Sequence, residues 1–279
     1  MEFDTIRVEV AGHVATVWLH RPHRHNAWTG RMHAEFRQAM LDLEHRREVR
    51  AVVVTGTPPA FCVGGDSDAL ARHAELGGYD PGLPDEPARP GSRMVPQYDD
   101  DFAWMYAYRT PIVAAVNGAA AGVGLALALF ADLRFGAAPA KLTTAAPKLG
   151  LPAEYGMSWV LPRLVGITRA ADLLLTGRVV TAAETADWGL WNEVHTDGPT
   201  ALAAAHDRAR LLATSVGPEA VATTKAQLYR DLHRHDAAAS VAESKRLLDE
   251  AMGGDEYREG IGIAVLDAPD DLLVFHLSS

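Results

Sequence analysis

The 279-residue chain carries a single cysteine, Cys62, so an internal disulfide framework is excluded and nothing signals an oxidising compartment. Positive charge is also scarce: 26 Lys and Arg stand against 36 Asp and Glu, a formal charge of −10. A protein that grips nucleic acid needs clustered basic side chains to neutralise phosphates, so that partner class is excluded. Small anionic ligands need only a local positive spot and stay open. Long apolar runs are missing too; the longest, Val123 to Ala131, falls far short of the ~20 residues of a membrane span. The opening Met1-Glu2-Phe3-Asp4 lacks the basic and apolar regions of a secretory signal, and a cytoplasmic location is the expectation. Neither a Gly-x-Ser-x-Gly nucleophile elbow nor a Gly-Lys-Ser/Thr phosphate loop occurs. Gly122-Val123-Gly124 has no third glycine within Leu125 to Leu127, so the dinucleotide fingerprint fails. His20, His23 and His25 cluster without a carboxylate or thiolate at ligand spacing, and no metal site is expected.

What is present reads as an ordinary globular chain, 48% apolar and 22% charged, large enough to bury a core without staples. Ile6 to Val10 alternates and Val14 to Leu19 is mostly apolar, with Ala11-Gly12-His13 between them as a hairpin turn. Thr29 then caps a helix whose Met32, Phe36, Met40 and Leu43 share one face. Ala51 to Thr55 is a buried-strand pattern closed by Gly56, Pro58 and Pro59. This order of elements predicts an α/β domain.

From Leu76 to Pro96 the density of Gly and Pro rules out regular structure, and a loop this long implies a functional lid or a mobile insertion. Ile112 to Asn117 reads as another buried strand, and Leu133 to Phe135 as a short one. Beyond Gly198-Pro199 the pattern is helical. Thr200 and Asp236 are candidate caps, and Pro218 suits a first turn. The expected organisation is an α/β core over residues 1–198 and a helical domain over 199–279.

Two glycine-rich turns carry the chemistry. Ala51–Thr55 runs into Ala60-Phe61-Cys62-Val63-Gly64-Gly65-Asp66, and Ile112–Asn117 runs into Gly118 to Gly124. Both leave a buried strand, and their glycines let backbone approach a ligand closely. The apolar run after the second turn suits a buried helix whose free N–H groups face that turn. Two N–H donors converging on one oxygen stabilise an oxyanion, each worth ~10²–10³ in rate. Tight strand-to-helix connections without chemistry would use the same residues.

At these residues the chain resembles the crotonase superfamily, the enoyl-CoA hydratase/isomerase family. The likeness includes Arg21-Pro22 with Asn26-Ala27, both glycine turns, and Pro111 to Gly118. It continues through Leu161-Pro162-Arg163-Leu164-Val165-Gly166, Leu174 to Arg178, Ala182 to Ala186 and Gly189 to Val194. The resemblance implies a spiral core of repeated ββα units, a C-terminal helical trimerisation domain and a homotrimer or homohexamer. It implies an acyl-CoA substrate, coenzyme A entering as part of that substrate with no separate cofactor. The thioester oxygen is expected between the backbone N–H groups of Val63 and Val123.

The acid/base groups depart from the family's hydratase pattern. One hydratase glutamate position is occupied by Ala126 and the other by Lys148. A methyl group and a lysine do not split water as two carboxylates would. Glu154, in Gly150 to Trp159, falls where double-bond isomerases of the family carry a single carboxylate. One base that removes a proton beside the carbonyl and returns it farther along suits isomerisation, given a pKa raised by Leu151, Pro152, Met157 and Trp159. Hydration by Glu154 with Asp68 or Lys148 is an alternative, as is a degenerate acyl-CoA-binding or scaffold protein. For the nucleotide, the likeness points to Arg24 at a phosphate and to Gly64, Gly65, Asp66 and Gly122 along the substrate path. The family's basic pair near the C-terminus is replaced by the acidic Leu266-Asp267-Ala268-Pro269. Cys62 has no base nearby in sequence and reads as packing.

Overall fold

A computed structural model describes residues 3–77, 89–91 and 96–266. Most of the Pro/Gly-rich stretch between Leu76 and Pro96, and Asp267-Ala268-Pro269, lie outside the described residues.

The predicted hairpin forms as β1 (Ile6–Ala11) and β2 (Val14–Leu19), antiparallel, with Gly12 at φ +58° in the turn. β1 alternates in burial as its sequence alternates, because it lies at the end of the sheet order. α1 (Gly30–Glu44) starts at Thr29, whose Oγ1 accepts from the Met32 N–H at 3.1 Å, and buries Met32, Phe36, Met40 and Leu43. β3 (Ala51–Gly56) follows, buried at every position, and then α2 (Ser67–Leu76). After α3 (Trp104–Ala107), β4 (Ile112–Val116) is equally buried. The second glycine turn holds the two-residue β5 (Ala120–Ala121) and opens α4 (Val123–Leu129). β6 (Leu133–Ala137), β7 (Lys141–Thr143), α5 (Met157–Val165), α6 (Ile167–Thr176), β8 (Val180–Thr181) and β9 (Glu193–His195) complete the order before the C-terminal helices.

The sheet runs β1-β2-β3-β4-β6-β9, parallel from β2 onward, and a small second sheet joins β5, β7 and β8. Continuous apolar runs such as Ala51 to Val54 are what strands covered on both faces require.

α7 (Gly198–Thr214) covers one face of this sheet. Its alanines 201, 205, 209 and 213 recur every fourth residue and are buried, and Ala205, Ala209 and Ala213 join Val53, Val113, Ala115 and Phe135 in one core. Small side chains on that stripe let the helix lie close to the strands. The expected boundary at residue 198 is therefore displaced: one compact unit spans Met1–Ser215 and the other Val216–Ser279. Helical periodicity alone does not distinguish a helix that packs on the sheet from one that begins a new unit. The cap of α7 also differs from expectation, since Asp197 is the N-cap and Thr200 its reciprocal partner in a capping box.

The second unit contains α8 (Pro218–Asp231), α9 (Ala237–Met252) and α10 (Asp255–Leu266). Pro218 opens α8, and the Asp236 carboxylate caps α9 by accepting from the Ala238 and Ala239 N–H groups.

Candidate active site

Both glycine turns leave the C-terminal ends of adjacent parallel strands, the place where an α/β sheet leaves room for a ligand. Asn117, just past β4, ties the two strand ends together. Its Nδ2 donates to the Gly56 carbonyl at 2.8 Å, and its Oδ1 accepts from the Gly56 N–H at 3.3 Å. The turns themselves are then laced: the Cys62 N–H donates to the Ala119 carbonyl at 3.0 Å, and the Ala121 N–H to the Cys62 carbonyl at 3.0 Å. Gly124 packs so close to the Cys62 carbonyl that a side chain there would collide with it. Cys62 is wholly enclosed, and burial pushes its thiol up to about 12, so it is inert packing.

Asn26 fixes the first turn from below. Its buried Nδ2 donates to the carbonyls of Ala60 (2.7 Å) and Thr57 (2.8 Å), while its Oδ1 accepts from the Arg21 N–H (2.9 Å). The Arg21-Pro22 and Asn26-Ala27 pieces of the sequence thus shape the turn rather than enter the cavity.

An open cavity of about 360 Å³ lies against these turns. Val63, Gly64, Gly65, Asp66, Gly122, Val123 and Glu154 all line it. The Val63 and Val123 N–H groups donate to no acceptor among the described residues; Val123 is the first residue of α4, where the helix leaves its N–H unmatched. Gly122 sits at φ +47° and ψ −121°, a backbone state that only glycine adopts readily, and it aims the start of α4 at the cavity. A Cβ at Gly122 would stand 3.8 Å from Glu154 Oε2 and 4.0 Å from the Gly64 Cα. The carboxylate and the two turns therefore meet in one place.

Glu154 is half-buried, accepts no hydrogen bond from the described residues, and has its pKa raised by burial. Ala126 is buried within α4 and Lys148 is exposed; neither lines the cavity.

Arg24 is placed differently from a phosphate ligand lining the cavity. Its guanidinium donates to Asp66 (3.2 and 3.3 Å), to the Ser67 hydroxyl (2.9 Å) and to Asp68 (3.3 Å). Asp66 is buried and also accepts from Arg21 at 2.9 Å and from the Asp68 N–H at 3.0 Å, which caps α2. Burial alone would raise this carboxyl, but the Arg24 and Arg21 hydrogen bonds offset that and hold it below the usual range. Asp66 is thus the hub of the turn as well as part of the cavity rim.

The cations that do line the cavity, Arg31 and Arg72, are absent from the sequence expectations, as are Trp28, Leu149 and Tyr155. Arg72 follows Asp68 by one helical turn of α2, a signal readable once a helix is placed there. Nothing local marks Trp28. Among the described residues no cluster of three metal-ligating side chains forms.

The family model described as enoyl-CoA hydratase/isomerase matches residues 9–264. A Rhodobacter capsulatus protein named "Probable enoyl-CoA hydratase" is 34% identical over 94% of this chain and 95% of its own. The Escherichia coli 1,2-epoxyphenylacetyl-CoA isomerase is 34% identical over 77% of each chain. Among solved structures, a probable enoyl-CoA hydratase/isomerase from Mycobacterium abscessus aligns with TM-score 0.80 and 32% identity, covering 94% of this chain and 95% of that one. A family match of this extent, on a shared α/β fold, means that the chain belongs to the enoyl-CoA hydratase/isomerase family of the crotonase superfamily.

Proposed function

We propose that this enzyme shifts a double bond in an unsaturated acyl-CoA thioester. The thioester oxygen lies between the Val63 and Val123 N–H groups, which stabilise the negative charge as an enolate develops. Glu154 takes a proton from the carbon beside the carbonyl and returns it farther along the chain, so the base is regenerated and nothing is added or lost. Arg72 supplies positive charge to a polyanionic nucleotide that the whole molecule repels, and Arg31, shared with Asp4 and Glu35, flanks it on the cavity wall. Coenzyme A is part of the substrate, with no resident cofactor.

The observation that carries this reading is a single carboxylate beside Gly122, raised by burial, with no carboxylate at either hydratase position. The Escherichia coli relative, an isomerase by name, supports it further. Incubation with a 3-enoyl-CoA in deuterated, heavy-oxygen water is the test. Deuterium entering the product without oxygen is expected, together with a loss of ~10²–10⁴-fold in kcat for Glu154→Gln. Full activity in that variant would remove Glu154 from the mechanism.

Hydration is the second reading, favoured by Asp68, which lines the same cavity although Arg24 holds it at 3.3 Å. Uptake of heavy oxygen would select it. For assembly, we propose a trimer or hexamer built through the second unit. Support comes from α9, which buries none of its residues yet carries Val241, Leu248 and Met252 on one face.

A further inference from the structure

One wall of the cavity is aromatic and braced. Trp28 and Tyr155 both line the cavity. Behind them lies Phe102, fully buried and edge-to-face with each ring, 5.4 Å from Trp28 and 5.4 Å from Tyr155. Trp28 packs in turn against Phe36 of α1 at 5.9 Å. Phe102 and Tyr155 both hold left-handed backbone, at φ +51° and +48°. Large side chains keep that conformation only where their surroundings over-determine it, and such residues concentrate at functional sites.

The surroundings are visible. Asp101, immediately before Phe102, accepts from the buried Arg37 of α1 at 2.5 Å and stands 3.5 Å from His33 Nε2. Tyr155 lies between Glu154 and Gly156, the N-cap of α5 at φ +69°. The ring contact and the base thus share one backbone segment.

We propose that Trp28 and Tyr155, braced from behind by Phe102, select thioesters whose acyl group is a ring, aryl or cycloalkenyl, over straight chains of equal carbon number; this rests on the acyl-CoA reading above. A flat ring meets Trp28 and Tyr155 in the edge-to-face geometry that both already use with Phe102. It also loses fewer rotors on binding than an alkyl chain does.

Phenylacetyl-CoA and octanoyl-CoA have the same number of acyl carbons and serve as probes. Calorimetry on full-length Glu154→Gln protein reads binding apart from turnover. Phenylacetyl-CoA is expected to bind at least about tenfold more tightly. Adding Tyr155→Leu is expected to shrink that ratio about 3–10-fold, the worth of one aromatic pair, with octanoyl-CoA affinity changed less than about twofold. Trp28→Leu repeats the test if its circular dichroism is unchanged; Tyr155, being only half-buried, carries it otherwise. Octanoyl-CoA binding as tightly as phenylacetyl-CoA, or Tyr155→Leu weakening both alike, overturns the ring preference and leaves the acyl-CoA reading intact. Binding of neither thioester overturns both.

Discussion

As the proposed base, Glu154 is expected to act in opposite directions on activity and on stability. Burial raises its pKa, so the ionised form that the proposed proton abstraction requires is the form the fold disfavours. The sign for activity follows: kcat/KM should rise with pH along an acid limb whose midpoint lies above the ordinary glutamate value of 4.5. The sign for stability runs the other way. A carboxyl with a higher pKa in the folded than in the unfolded state loses stability as pH rises from the unfolded value through the folded one. Glutamine carries no such penalty. Glu154→Gln should therefore melt above the parent protein at about pH 8 and close to it near pH 4. Thermal denaturation at both pH values checks this, and equal melting throughout would argue against a buried base. Glu154 was singled out in the sequence by the resemblance of Gly150 to Trp159 to a family segment that carries a single carboxylate. Its proximity to Gly122 was not, because the two meet only through the fold.

At the scale of elements, the strand-turn-helix joints hold the site. Gly122 is the sharpest example, since its φ and ψ exclude a side chain on conformational grounds although the space beside Glu154 is adequate. Gly122→Ala is expected to destabilise by about 1–3 kcal/mol and to turn the Val123 N–H away from the cavity. The kinetic signature is a fall of roughly 10²-fold in kcat with a smaller change in KM, as for a lost oxyanion donor. Steady-state kinetics alongside urea denaturation separates the two effects. The hairpin, α1 with its Thr29 cap, β3 and β4 were all readable from period and punctuation. β5, β8 and β9 were not, being two or three residues long and set by the register of their neighbours rather than by local pattern. α7 read as a helix, but its alanine stripe gave no sign of which unit it would cover.

For the whole molecule, the formal charge of −10 sets a problem for a ligand rich in phosphate. The cavity answers locally with Arg72; Arg31 is shared with Asp4 and Glu35, as Arg24 is with Asp66 and Asp68. The second unit bears Leu228, Leu232, Val241 and Leu248 on its surface. Light scattering should return three or six times the 30.0 kDa chain mass. Val241→Glu with Leu248→Glu is expected to lower that mass, because charge buried at an interface is costly. A parent protein that scatters as a monomer would rule out assembly through this face.

The sequence by itself determined the fold family, the two glycine turns, and the presence of Ala126, Lys148 and Glu154 at the three positions the family resemblance singles out. These are properties of residue type and order, set by backbone freedom and side-chain chemistry. Only the tertiary structure decided that Arg24 is tied to the buried Asp66, that Arg31 and Arg72 reach the cavity, and that Trp28 and Tyr155 form one wall braced by Phe102. Such outcomes depend on which distant side chains the packing brings within a few ångströms of one another, and no local pattern encodes that.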